Sequence, residues 1–362
     1  MSQEEQEYRP RVCYLGAYDP AYPRNQVLRR GLTRQGATVV DCRVSPTLKT
    51  VARMRSLRQQ YATIAAWGDV ILLAEFNQTL APFAWWMARR HHKRLIVDAF
   101  TSLYDSAVHD RATAHPRSPN ALRYWFADWL AIRLADLALF DTAQHRDYFV
   151  HTFGISPRRS VVIPVGAPQE WFETPPVPHG LSGSLALFYG TYIPLHGVET
   201  ILRAAHHLRK RADIHFELVG RGQTYPAAQE LATDLKLERV TFREPVAPTA
   251  LPGLVARADV CLGVFGTSAK ASRVVPNKVY QTLALGKPLI TADTPALRDA
   301  FMPGEHLLAV PPGDAKALAE AITSLIDDPD LRDRLGQAGR TRTRIGFNEA
   351  ALGQRLLEAL QK

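Results

Sequence analysis

The strongest constraint on the fold is an alternation along the chain. Short apolar runs recur, and helical patterns fill the gaps between them. The first runs are VCYLG (12–16), ATVVDC (37–42), DVILLA (69–74), RLIVDAF (94–100), DLALFD (136–141) and SVVIPVG (160–166). Stretches such as RNQVLRRGLTRQG and TLAPFAWWMARRHH lie between them. Strand–helix alternation of this kind predicts a parallel sheet covered on both faces, because each parallel pairing needs a long crossover. The segment GAPQEWFETPPVPHGLSGS then breaks the pattern. It is rich in Pro, Gly and Ser, has no periodicity, and reads as a linker. A second series follows: LALFYG (185–190), the helix VETILRAAHHLRKR, HFELVG (215–220), a helix over AAQELATDLKL, RVTFRE, and ADVCLGVF (258–265). RVVPNKVYQTLALGKPLIT (Arg273–Thr291) comes next, and DAKALAEAITSLIDD runs on into DPDLRDRLGQAGRTRTR.

The expected fold is therefore α/β, with two Rossmann-like domains whose parallel sheets face each other across a cleft. A length of 362 residues suits two domains. The boundaries read as 1–168 for the first domain, 169–184 for the linker and 185–345 for the second, with a helix over about 346–362 returning to the first. Ligands of such sheets bind beyond the carboxyl ends of the strands, which makes the crevice the expected site. The net charge of +9 is unevenly placed: residues 1–160 hold 22 Lys/Arg against 14 Asp/Glu, and the remainder 22 against 21. The basic half would attract an anionic membrane or a phosphorylated substrate. No nucleic-acid motif surrounds its densest stretch, RMRSLRQQ (Arg53–Gln60), which reads either as a solvated helix face or as a lipid-phosphate patch. No run reaches the roughly 18 apolar residues of a membrane helix. The opening MSQEEQEYRP reads as neither a signal nor a transit peptide. Cys13, Cys42 and Cys261 have no metal spacing and read as buried thiols. The expected location is the cytoplasm, in contact with the inner face of the membrane.

The segment Arg273–Thr291 sets cations and amides at the mouth of a helix otherwise made of core residues. Pro276 suits the first turn, Gly286 ends the helix, and Val279, Tyr280, Leu283 and Ala284 form its core face. Lys278, Asn277 and Gln281, with Arg273 just upstream, surround the free amides of the first turn, an arrangement that attracts phosphate. GRGQTY (Gly220–Tyr225) begins like a dinucleotide fingerprint, but Tyr225 stands where the third glycine belongs. A tight turn near a ligand is the better reading for Gly220 and Arg221.

These pieces together resemble the retaining GT-B glycosyltransferases of the family-four type. VVIPVGAPQEWF resembles that family's interdomain crossing, and LALFYGTYIPLHGVETILRAAHHL its first donor-domain strand, loop and helix. FELVGRG resembles the second nucleotide-contacting turn, VTFREPVAPTALPGLVARADVCLGV the segment that meets the base, and QTLALGKPLIT the ribose and phosphate helix. GEHLLAVPPGDAKALAEAITSLIDDP is similar to the family's common tail. The resemblance implies a donor site formed by Gly190, Thr191, His196, Gly220, Arg221, Val246, Arg273, Asn277, Lys278 and Gln281, with Gly16 from the first domain. Two departures stand out. Arg273 and Gln281 occupy the places of two glutamates eight positions apart, and Thr191 and His196 replace an Arg and a Lys in the first loop. The expectation is that Arg273 and Lys278 meet the diphosphate instead, with His196 assisting when protonated.

Asp98, at a strand end where the family often places a histidine or an acid, is the expected catalytic residue, joined by Asp105 and His109. Helix capping is the competing reading for Asp98 and Asp105. Arg24 is either a substitute contact for the diphosphate or part of an ordinary helix start. Trp85, Trp86, Trp125, Phe126 and Trp129 read as core, or as an acceptor groove or membrane face. The expected function is transfer of a sugar from a nucleotide-diphosphate sugar to an acceptor hydroxyl with retention, with no metal or other cofactor. A UDP-sugar is the favoured donor, and the acceptor is a glycan, a lipid-linked sugar or a small molecule. The alternatives are a non-catalytic partner subunit with a relic donor site, and a nucleotide-sugar epimerase or hydrolase.

Overall fold

The structure is a computed structural model that describes residues 9–361. The opening MSQEEQEY, read above as part of an untargeted start, lies outside the described residues, as does Lys362. The described chain divides into two compact units.

One unit runs to Asp105 and includes Ala114–Pro164 and the chain from Glu349 onward. Its strands are β1 (Arg11–Ala17), β2 (Thr38–Val44), β3 (Val70–Leu73), β4 (Arg94–Asp98), β5 (Leu137–Phe140) and β6 (Ser160–Val162). They form a wholly parallel sheet in the order β2-β1-β3-β4-β5-β6. All four residues of both β3 and β5 are buried, which explains runs without polar alternation. The strand order reverses at β1, which lies between β2 and β3, and that reversal opens a crevice at the strands' carboxyl ends. Helix Glu349–Gln361 packs on helix Pro23–Arg34 within this unit. A Cβ on Gly353 would come 2.2 Å from the backbone of Gly31, so the contact demands glycine on both helices. Glu349 is buried there and pairs with Arg30 at 3.3 Å and Arg34 at 2.9 Å.

The other unit comprises Ser106–Thr113 and Val165–Asn348. Its strands are β7 (Ser184–Tyr189), β8 (Ile214–Val219), β9 (Val240–Arg243), β10 (Val260–Leu262), β11 (Leu289–Ala292) and β12 (Leu308–Val310). They are again all parallel, in the order β12-β11-β10-β7-β8-β9. The order reverses at β7, between β8 and β10.

Three details differ from the sequence boundaries. Residues 106–113 join the second unit, where Lys270 Nζ donates to Ser106 Oγ at 2.7 Å and Gln223 Nε2 to the Arg111 carbonyl at 2.8 Å. The segment read as a featureless linker opens with a helix, Gln169–Glu173, because Trp171 and Phe172 are buried and Trp171 stacks on Tyr189 at 6.2 Å. The long helix of the tail breaks at Asp328, whose carboxylate caps the second piece by accepting from Leu331 N at 2.9 Å. The three cysteines are buried free thiols.

Candidate functional site

In the second unit the reversal of strand order sets the loop after β7 beside the segment that follows β10. That segment ends in helix Asn277–Ala284, whose N-cap is Pro276 and whose side chains are buried from Lys278 to Ala284. Lys278 is 4% exposed, and its ammonium has no hydrogen-bond acceptor. Nζ lies 3.8 Å from the Phe188 ring centroid and 5.9 Å from that of Tyr189. The ring faces offer a partial solvation shell but no counter-charge. Burial holds the Lys278 pKa well below the ordinary lysine value. Gly190 borders the same spot: with φ of +146°, a Cβ there would lie 2.9 Å from Lys278 Nζ and 3.1 Å from His196 Cε1. Any side chain at 190 would fill the space in front of the amine.

His196 is buried, and its Nδ1 bonds the Thr191 carbonyl. Burial first, and then the charges of Lys278, Arg111 and Lys270, push its pKa well below the usual histidine value. The neutral ring donates from Nδ1 to that carbonyl, so Nε2 carries no proton. The expectation of a protonated His196 on phosphate is therefore corrected for the free protein, because burial first and the basic neighbours second disfavour the charged ring. Lys270, 8% exposed, and Arg111 were not singled out in the sequence. They become visible only when residues 106–113 and 265–273 come together. Asn277, at the first helical position, keeps Oδ1 without a partner. Gln281 does not face open space: its Oε1 accepts from Tyr189 OH at 3.2 Å.

The remaining predicted donor residues differ in exposure and partners. Gly220 packs so tightly that a Cβ would stand 2.0 Å from the Gly190 carbonyl, which gives the GRG turn a packing reason. Arg221 is exposed, pairs with Glu244, and lies 3.8 Å over the Tyr225 ring. Thr191 is exposed and Val246 half-buried in the loop after β9. Arg273 closes the short turn Ala271–Arg273 and is half-buried.

In the first unit Asp98 is fully buried, and both carboxylate oxygens accept from Arg24 at 2.7 Å. Arg24 Nη1 donates to the Ile163 carbonyl at 2.7 Å. This corrects two expectations at once. Asp98 neither caps a helix nor presents a free carboxylate, and Arg24 is committed to it rather than to a diphosphate. Asp105 is buried, with its own amide donating to Ser102 Oγ at 3.0 Å. His109 is exposed and belongs to the other unit, so neither unit holds all three predicted catalytic residues. Gly16 faces Asn77, whose side chain a Cβ would meet at 2.9 Å. Asn77 Oδ1 accepts from Ala17 N at 2.8 Å, and this tie joins the ends of β1 and β3. Glu75, buried in that same turn, was not picked out in the sequence, because a lone glutamate after a strand carries no pattern.

Two families match the chain: "Glycosyl transferase 4-like domain" over residues 2–166 and "Glycosyl transferases group 1" over residues 183–328. Anabaena HepE in complex with UDP and glucose superposes with a TM-score of 0.71 at 16% identity, over 98% of this chain and 100% of that one. Sucrose-phosphate synthase from Thermosynechococcus elongatus does so with a TM-score of 0.72 at 18% identity, over 98% of each. The chain belongs to these glycosyltransferase families, and its fold is GT-B. Among curated relatives, the MMP alpha-(1->4)-mannosyltransferase of Mycolicibacterium hassiacum is 23% identical over 64% of this chain and 55% of its own length. The D-inositol 3-phosphate glycosyltransferase of Nocardia farcinica is 26% identical over 84% of this chain and 68% of its own. The chain spans about half the length of the first relatives it matches, 55% and 44% of theirs.

Proposed function

We propose that the protein transfers a hexosyl group from a nucleotide-diphosphate sugar to an acceptor hydroxyl, with retention of configuration and without a metal. The observation that carries the donor half is Lys278, a buried amine without an acceptor at the start of a helix. An ionised group held out of water without a partner costs several kcal/mol (roughly 3–5 when a buried pair is broken). A chain with no anion to bind would be more stable with methionine there, and this argues against a relic site. The diphosphate of a donor supplies the missing charge, the first-turn amides add donors, and Lys270 and Arg111 extend the positive field. As charge develops on the leaving diphosphate these groups stabilise it, and the leaving oxygen accepts the acceptor's proton, so the protein need not supply a nucleophile.

HepE was solved with UDP, whereas the alpha-(1-6)-phosphatidylinositol monomannoside mannosyltransferase of Mycolicibacterium smegmatis, 26% identical, is GDP-mannose-dependent. Calorimetry with UDP and GDP on wild type and Lys278→Ala tests the site. The expected result is a loss of about 1.5–3 kcal/mol of binding free energy for the matching nucleotide in the variant. Equal affinities would remove Lys278 from the donor site.

A further contact, with an anionic membrane, is favoured by the surface of the first unit. Helices Thr50–Ala62, Ala81–Arg90 and Pro119–Leu134 carry Arg53, Arg55, Arg58, Arg89, Arg90, Arg123 and Arg133, and their one acid, Asp128, is fully buried. Trp86 is 43% exposed, Phe126 51% and Leu122 67% on these helices.

A further inference from the structure

The carboxyl edge of the first unit's sheet holds a set of groups that the donor chemistry does not use. Glu75 follows β3 and is 3% exposed. Its Oε1 accepts from Asn25 Nδ2 at 2.8 Å, and its Oε2 has no partner. Gln78, three residues on, is 2% exposed; its Nε2 donates to the Thr101 carbonyl, and its Oε1 has no partner. Each buried polar atom left unpaired costs about 1–3 kcal/mol, so two within four residues call for something that completes them.

Phe76 lies between these two residues. It is 47% exposed and has φ of +60°, a conformation that bulky side chains rarely adopt. Asn77 holds the turn, donating from Nδ2 to the Glu75 carbonyl at 2.7 Å. The Phe76 ring meets Tyr22 edge-on at 5.9 Å and Phe100 at 5.8 Å, and Tyr22 and Phe100 meet at 6.1 Å. The strained turn thus carries, between the two incomplete polar residues in sequence, a ring that gathers Tyr22 and Phe100 around it.

The groups that face Glu75 are Arg24 and Asn25 from helix Pro23–Arg34, Tyr14 from β1 and Asp98 from β4. Arg24 is already committed to Asp98. Burial, and then the charge of Asp98, push the Glu75 carboxyl up to about 8. At neutral pH it is an acid whose proton has no acceptor in the protein, close in sequence to an amide oxygen that lacks a donor. A sugar hydroxyl both donates and accepts, and the C–H face of a sugar ring packs against aromatic rings.

We propose that Glu75 and Gln78, with the rings of Tyr22, Phe76 and Phe100, bind a sugar or polyol as the acceptor. This assignment rests on the glycosyl-transfer reading. The test is saturation-transfer NMR on the full chain with methyl α-mannopyranoside, methyl α-glucopyranoside and myo-inositol. With wild type at neutral pH, saturation should reach the ring C–H protons of at least one probe. It should fall roughly fivefold in Phe76→Ala, as befits one aromatic contact. It should also fade in wild type as pH rises through about 8, while Glu75→Gln, which keeps a neutral donor, binds on both sides of that value. No transfer to any probe, equal transfer in Phe76→Ala, or binding that strengthens as Glu75 ionises would each overturn the assignment. Calorimetry with UDP and GDP on the same samples separates the two readings. Nucleotide binding without probe binding overturns the acceptor assignment alone, and probe binding without nucleotide binding overturns the donor reading alone.

Discussion

At the scale of single residues, Lys278 makes the free protein less stable than it could be. Its folded pKa lies below the ordinary lysine value. Between the depressed value and about 10.4 the unfolded chain holds a proton that the folded chain does not, so stability rises with pH across that window. Below the window both states are charged and the folded state bears the full burial cost. Lys278→Met should therefore raise ligand-free stability near neutral pH by about 1–3 kcal/mol and flatten this rise. Urea melts at a series of pH values check both points, and an unchanged pH slope would show that the amine is solvated. The same depression predicts proton uptake when a diphosphate arrives, because an adjacent anion restores the charge. Calorimetry in buffers of different ionisation enthalpy would read it. The sequence disclosed Lys278 because proline, asparagine and lysine open an otherwise apolar helix. It disclosed neither Lys270 nor Glu75, whose environments depend on loops from distant strands. For Asp98 it gave the right strand end but not the partner: Arg24 is 74 positions away, and only the fold brings it close.

At the scale of elements, strand–helix alternation was legible because each parallel strand is a continuous apolar run. The short β12 was hidden in the tail because it has only three residues, two of them half-buried. The return of the last helix to the first unit rests on glycine. A Cβ at Gly353 would meet the Gly31 backbone at 2.2 Å, and backbone cannot move aside as a side chain can. Gly353→Val should therefore cost about 2 kcal/mol or more, by forced separation of the two helices. Thermal melts of wild type and variant would show it, and an unchanged melt would mean that the helix is not docked in solution. The three arginine-bearing helices invite a separate test. Arg58 lies over the Trp86 ring at 5.7 Å and Arg133 over Trp129 at 5.7 Å, so the cations flank the aromatics as an interfacial surface requires. Sedimentation with phosphatidylglycerol vesicles should capture the protein, and phosphatidylcholine vesicles should not. Arg55→Glu with Arg58→Glu should release it, since each basic side chain near an anionic surface is worth about 1 kcal/mol. Equal capture by both kinds of vesicle would mean that the charge is irrelevant.

At the scale of the whole molecule, the two units differ in how their charge is arranged. The second unit is close to neutral in sum, yet it gathers Lys278, Lys270 and Arg111 around His196. A diphosphate leaving group needs positive charge that strengthens its hold as the bond to the sugar breaks. A metal ion is one way to provide it, and it needs carboxylates or imidazoles grouped to hold the ion. Among the described residues no group of three or more His, Cys, Asp or Glu stands together in that way. On the proposed donor reading Lys270, Arg111 and Lys278, the last once it takes up its proton, serve in its stead, and chelation does not touch them. Turnover, measured as sugar lost from the matching nucleotide sugar, should therefore continue at an unchanged initial rate in EDTA. In the same assay Lys278→Ala should slow it, and Lys278→Arg should restore part of the rate if charge rather than shape is what matters. Loss of activity in EDTA, recovered with Mg or Mn, would show that the diphosphate is met by a metal, and that the buried lysine answers to a different anion.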